Sequence, residues 1–157
     1  MKKSFLTIMA IVGIGASAMA ASNSNRYFTK GYRADVRISA TATNNYHFTS
    51  SHGYALGYGF YIGGGAGFGA EWVDGGLTSD PHFTPSLFLD AKWSVLNRRI
   101  SPYVDVKAVQ YIDLTAGSTN YGITPSLGID CGRFSVGVGY ELRGNRSALQ
   151  LGLGLNF

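Results

Sequence analysis

The chain has 157 residues, the size of one domain, with 22 glycines, 13% aromatic residues and a single cysteine. The lone Cys131 excludes an intramolecular disulfide, and the formal charge of +4 is scattered instead of gathered into the basic stripe of a nucleic-acid binder. Past the first twenty residues no run approaches the roughly 18 apolar residues of a transmembrane helix, and glycine is too frequent inside the periodic segments for helices of any kind, which leaves an all-β chain.

Residues 1–20 read as a leader. Lys2 and Lys3 give a cationic start, an apolar run follows from Phe5 to Ile14, and Ala18-Met19-Ala20 has the small-x-small form of a cleavage site. The apolar run is too short for a membrane anchor, so the leader is predicted to be a cleaved signal peptide, leaving residues 21–157 as the domain. Without Lys2 and Lys3 the charge balance falls to 11 basic against 9 acidic residues, so part of the high pI belongs to the leader. Cys131 is expected to serve as a small apolar filler.

Eight segments then alternate apolar and polar side chains, the period-2 signature of strands. The first runs from Tyr32 to Ala42, the second, weaker, from Phe48 to Leu56, and the third from Phe60 to Trp72. The fourth is Pro85 to Val95, the fifth Pro102 to Tyr111 and the sixth Ile123 to Cys131. Phe134 to Leu142 is the seventh. The eighth, Leu149 to Phe157, alternates without a break: Leu149, Leu151, Leu153, Leu155 and Phe157 share one face. Tight turns at Gly57–Gly59, Asn97–Arg99 and Gly132–Arg133 alternate with longer polar connections at Asn44–His47, Val73–Phe83 and Ile112–Tyr121, while Gly144–Ser147 is short. Thr84-Pro85-Ser86-Leu87 is echoed by Thr124-Pro125-Ser126-Leu127, which places each proline at a strand start. The pattern predicts an eight-stranded antiparallel up-and-down barrel.

Such a barrel can turn its apolar face inward, as in a soluble lipid-binding barrel, or outward against lipid. The centres of the apolar faces carry no charge, as a lipid-facing surface requires. The opposite faces carry Arg33, Arg37, Lys92, Lys107 and Arg143 together with Asp35, Glu71, Asp90, Asp105, Asp130 and Glu141. Charges of both signs in a narrow lumen must pair, so these eleven residues are expected to form a polar network in place of a hydrophobic core. Gly63, Gly65, Gly67 and Gly69 lie on the same face and leave room for longer side chains. Trp72 and Trp93 fall at opposite rims, where an aromatic girdle is expected.

In these features the chain resembles the small outer-membrane β-barrel proteins of Gram-negative bacteria, the OmpA/OmpX-like class. The likeness is carried by Ser51-His52-Gly53-Tyr54, Gly63-Gly64-Gly65-Ala66-Gly67, Ile100 to Lys107, Ser135 to Tyr140 and the closing strand. The resemblance implies an outer-membrane location, outer-membrane lipids as the surroundings, and recognition of Leu149, Leu151, Leu153, Leu155 and Phe157 by the barrel assembly machinery. It implies no cofactor and no nucleic-acid partner, and it names no partner for the loops.

Catalysis would have to come from His47, His52 or His82 with Ser50, Ser51 or Ser79 and a carboxylate such as Asp80. These are ordinary loop residue types, and a triad is defined by geometry, not by the presence of its residue types. No metal-ligand spacing occurs, and the Gly63–Gly69 run lacks the Lys-Ser/Thr of a phosphate loop. The expected role is therefore structural or surface interaction without catalysis. A lipid-A-modifying enzyme of the same fold and a soluble periplasmic lipid binder are the alternatives.

Overall fold

The computed structural model describes residues 24–43, 45–71, 82–114, 117–144 and 146–157; the predicted leader and Trp72 lie outside them. Eight strands, β1 (Gly31–Thr41), β2 (Tyr46–Gly57), β3 (Phe60–Glu71), β4 (His82–Ser94), β5 (Ile100–Asp113), β6 (Ser118–Cys131), β7 (Phe134–Arg143) and β8 (Arg146–Asn156), follow a short 3₁₀ turn at Arg26–Phe28. Each strand pairs antiparallel with its chain neighbours, and β8 closes on β1 from Asp35↔Asn156 to Thr41↔Gln150, so the sheet has no free edge. Beyond the ladder, Phe157 N–H donates to the Ala34 carbonyl at 2.7 Å and Ala34 N–H to the Phe157 carbonyl at 3.2 Å, which carries the seam to the last residue.

The polarity is inverted relative to a soluble protein. Leu87, Leu89, Ile123, Leu127, Val136, Leu151 and Leu153 are exposed on the outer wall. Asp35, Glu71, Asp90, Lys92, Asp105, Lys107, Asp130 and Glu141 are buried inside it. Because strand side chains alternate strictly, one register decision sends most apolar residues out and most strand charges in. A soluble barrel with an apolar interior is thereby overturned for this chain. The only large apolar side chains the described lumen holds beside the charges are rings and Val109: Tyr27, Tyr61, Phe88, Tyr103 and Tyr111.

The strands run further than the alternation suggests. β5 and β6 zip up to Asp113↔Ser118, so the expected loop from Ile112 to Tyr121 is a tight hairpin. Polar residues such as Thr119 and Asn120 blur the period without ending the backbone ladder, and so hid these rungs. Of the connections on that side only residues 72–81 remain long. Neither proline of the echo begins its strand: Pro85 is the fourth residue of β4, paired with Phe68, and Pro125 lies inside β6, where the β6–β7 ladder skips Thr124 and Pro125. A proline has no N–H to give, and the pairing breaks there. Cys131 is exposed at the end of β6 and fills no interior gap.

The β2–β3 turn is a two-residue connection. Gly57 and Gly59 adopt φ of +91° and +86° around Tyr58 at +55°, conformations that glycine takes without strain.

Candidate functional site

The most elaborate chemistry of this chain lies in its lumen, where it is built in layers along the axis. At the end carrying the tight turns, Asp130 accepts from Lys92 Nζ at 2.8 Å, Ser94 Oγ at 2.8 Å and Asn156 Nδ2 at 3.2 Å. All four side chains are buried. Charge-assisted bonds of this length are the strong ones, and here they are shielded from water.

At the same end of the barrel the N-terminal turn reaches into this layer. Asn25 caps the turn by accepting from Tyr27 N–H at 2.9 Å, and Gly59 N–H donates to the Tyr27 carbonyl at 3.1 Å. The Tyr27 ring is only 2% exposed; its hydroxyl donates to Asn156 Oδ1 at 3.0 Å, and the ring meets Tyr61 edge-on at 5.7 Å. The turn is a plug in this end of the barrel. Arg33, which the sequence groups with the lumen charges, serves the plug instead: it donates to the carbonyls of Arg26 (3.0 Å), Thr29 (3.1 Å) and Tyr32 (2.7 Å) and joins no carboxylate among the described residues. Its place one rung from the rim, beside the orphan carbonyls of a turn, explains the difference.

In the middle layer Arg37 pairs with Asp105 at 3.0 Å and approaches Asp35 at 3.9 Å, while Lys107 lies 3.6 Å from Asp90. Toward the other end Arg143 pairs closely with Glu71, and His47 Nε2 stands 3.9 Å from Glu141. The four cations also lie over rings: Lys92 over Tyr103 at 4.2 Å, Arg37 over Tyr103 at 5.8 Å, Lys107 over Phe88 at 4.8 Å and Arg143 over Tyr111 at 4.2 Å. A desolvated cation over an aromatic face gains about 2 kcal/mol. Each buried cation thus has both a carboxylate and a ring. The alternation marks these rings only as residues of the polar face; their role as platforms needs the cross-barrel geometry.

Glycine makes that geometry possible. A Cβ on Gly128 or Gly137 would run into the Tyr103 ring, so bare backbone on β6 and β7 is what admits this ring to the lumen. The remaining space between Arg37, Lys107, His47, Thr49, Ser86 and Thr124 is about 40 Å³. At about 10–15 Å³ each this holds about three waters, and no acyl chain.

The histidine and serine candidates do not converge. Ser79 and Asp80 lie outside the described residues, His82 heads β4 opposite Glu71, and Ser51 faces the lumen bonded to Tyr61 at 2.8 Å. His52 sits within β2, not in a loop, and points outward; it bonds Tyr32 Oη through Nδ1 at 2.6 Å and Ser50 Oγ through Nε2 at 3.0 Å. These three polar groups satisfy one another on a mostly apolar wall, and no carboxylate joins them among the described residues. Replacing His52 with alanine strands both hydroxyls, and the expected loss is about 1 kcal/mol, read as a lower temperature of unfolding in detergent. Adding Ser50→Ala is expected to recover part of it, because one stranded group is then removed.

Of the expected girdle, Trp93 faces outward and stacks on Phe60 with ring centroids 5.6 Å apart. Leu149, Leu151, Leu153 and Phe157 are exposed along one outer face of β8, with Leu155 half-buried beside them.

No family model matches the chain, and no curated protein does. Among solved structures it is similar to the N-terminal β-barrel domain of OprF from Pseudomonas aeruginosa, with 14% identity and a TM-score of 0.55 over 82% of this chain and all of that one. A de novo designed protein, TMB2.3, aligns at 15% identity and a TM-score of 0.49 over 80% of this chain and 93% of the design. Neisserial surface protein A aligns at 12% identity and a TM-score of 0.46 over 80% of this chain and 92% of its own. The chain has the fold of the small eight-stranded outer-membrane barrels.

Proposed function

We propose that this chain is an integral outer-membrane barrel with a sealed lumen, and that its role is structural or surface interaction and not transport or catalysis. One observation carries the reading: an outer wall of exposed leucine, isoleucine, valine and aromatic side chains encloses a lumen of paired charges. Water would penalise that wall, whereas hydrocarbon favours it and demands a closed sheet with every backbone group paired. The lumen is closed by the Tyr27 plug and filled by side chains, as expected of eight strands, so it offers no conducting path at that end.

In this reading the protein is exported by residues 1–20, inserted by the barrel assembly machinery through the β8 face that ends at Phe157, and surrounded by outer-membrane lipids. The test is electrophoresis of membrane fractions with and without boiling. A folded barrel migrates differently when heated, and recovery of the protein only in the soluble fraction would sink the proposal. The absence of catalysis has its own check. A fluorophosphonate probe, which labels activated serines, is expected to leave Ser50 and Ser51 unmodified in the detergent-folded barrel; labelling of either would favour a lipid-modifying enzyme.

A further inference from the structure

The end of the barrel that carries the plug is ringed by cations. Arg26 opens the N-terminal turn and Lys30 follows it, Arg98 and Arg99 occupy the β4–β5 turn, and Arg133 occupies the β6–β7 turn, with Arg33 just inside the rim. They form one surface. The Lys30 stem lies against Gly57, the Arg99 guanidinium against Gly132, and Arg33 donates to the Arg26 carbonyl. Burial and the neighbouring charges of Arg133 and Arg33 hold the Arg26 guanidinium below its ordinary range. No side-chain carboxylate is exposed at this end among the described residues, because Asp35 and Asp130 are buried in the lumen. The opposite end carries both signs among the described residues: Asp113 closes β5 there and Arg146 opens β8.

We infer that this basic ring binds the phosphate headgroups of anionic phospholipids in the membrane leaflet around the plugged end. The inference rests on the chain being a membrane barrel. Two features favour a lipid surface over an anionic polymer beyond the membrane. The cations abut outward apolar anchors, Arg99 before Ile100 and Arg133 before Phe134, and the exposed rings of Tyr58, Phe60 and Trp93 stand at the same rim. The ring is therefore continuous with the apolar wall and sits at headgroup depth, where aromatic belts and basic side chains meet phosphate. The turns that carry it are also too short to project toward a distant polymer. Guanidinium groups match phosphate oxygens in pairs, which suits four of the five surface cations.

Trp93 reports on this rim. In a Trp72→Phe background it is the remaining tryptophan of the chain. The barrel is reconstituted in vesicles of phosphatidylcholine mixed equally with phosphatidylglycerol, one or the other carrying brominated acyl chains that quench tryptophan. Brominated phosphatidylglycerol is expected to quench Trp93 several-fold more effectively, since each basic residue near an anionic surface is worth up to about fivefold. The preference should fade as salt shortens the screening length from about 30 Å at 0.01 M to about 3 Å at 1 M. The variant K30Q/R98Q/R99Q/R133Q should lose it and R98K/R99K/R133K should keep it, both remaining heat-modifiable. Equal quenching by the two lipids in the parent barrel overturns the inference. So does sedimentation with isolated peptidoglycan that depends on these arginines while lipid preference is absent. Failure of either lipid to quench Trp93 overturns the membrane reading itself.

Discussion

An Asp130→Ala barrel is expected to unfold at a markedly lower temperature than the parent, with a loss of about 3–5 kcal/mol. Asp130 is 2% exposed and takes three hydrogen bonds, from Lys92, Ser94 and Asn156. Removing it leaves the Lys92 ammonium buried against Tyr27 and Tyr103 without its ion pair, since the neighbouring carboxylate across the ladder, Asp105, is engaged by Arg37. The measurement is the temperature at which the compact, fast-migrating form converts to the slow form on electrophoresis. A second variant separates two explanations of the loss. If the damage comes from an uncompensated charge, Lys92→Met with Asp130→Leu should recover most of it, since well-packed apolar replacements of buried ion pairs are often neutral. If the layer matters because it holds Asn156 and the Tyr27 plug, the double variant should stay as weak as the single one. Full retention of the parent's transition in Asp130→Ala would show that the lumen is more hydrated than its burial indicates.

The sequence made the outer wall legible and the ends of the lumen obscure, for one physical reason. Alternation is a local signal, renewed every two residues, so Leu151 and Leu153 declare their face within β8 alone. The eight strands and their inside-outside sense follow from that signal. The pairing of charges is not local: Arg37 meets Asp105 across 68 residues and Arg143 meets Glu71 across 72. Alternation could place these groups on a common face, but their partners depend on barrel closure and stagger. Tyr27 is harder still. It belongs to a three-residue turn with no period, and its place in the lumen depends on Gly59 of a hairpin and Asn156 of the last strand. Arg33 obeys the alternation and yet departs from the network, because the nearest acceptors are carbonyls of that same turn. His52 is the opposite case, a polar residue on the apolar face that local pattern reads as weakness in the second strand. The structure shows instead a bonded trio with Tyr32 and Ser50.

The wall supplies the sharper test of where this barrel resides. Leu151 lies at the middle of β8, between Ala40 of β1 and Val138 of β7, and is 63% exposed. In a water-soluble protein a leucine so exposed can become arginine within about 0.5 kcal/mol, since surface changes away from special contacts are close to neutral. Facing the bilayer midplane, the same change costs about 2–4 kcal/mol, because the guanidinium must enter hydrocarbon or drag water with it. Leu151→Arg is therefore expected to fold poorly into lipid vesicles, with a shift in denaturant midpoint of that size. Ser147→Arg, at the end of the same strand and its outward face, should cost no more than about 1 kcal/mol, the value near an interface. The depth dependence is the decisive part. A generic packing defect would not scale with position along β8, whereas a low-dielectric slab around the barrel must produce a maximum near Leu151. Equal tolerance of arginine at both positions would mean that water, and not lipid, bathes this wall, and the apolar exterior would then have to be covered by protein.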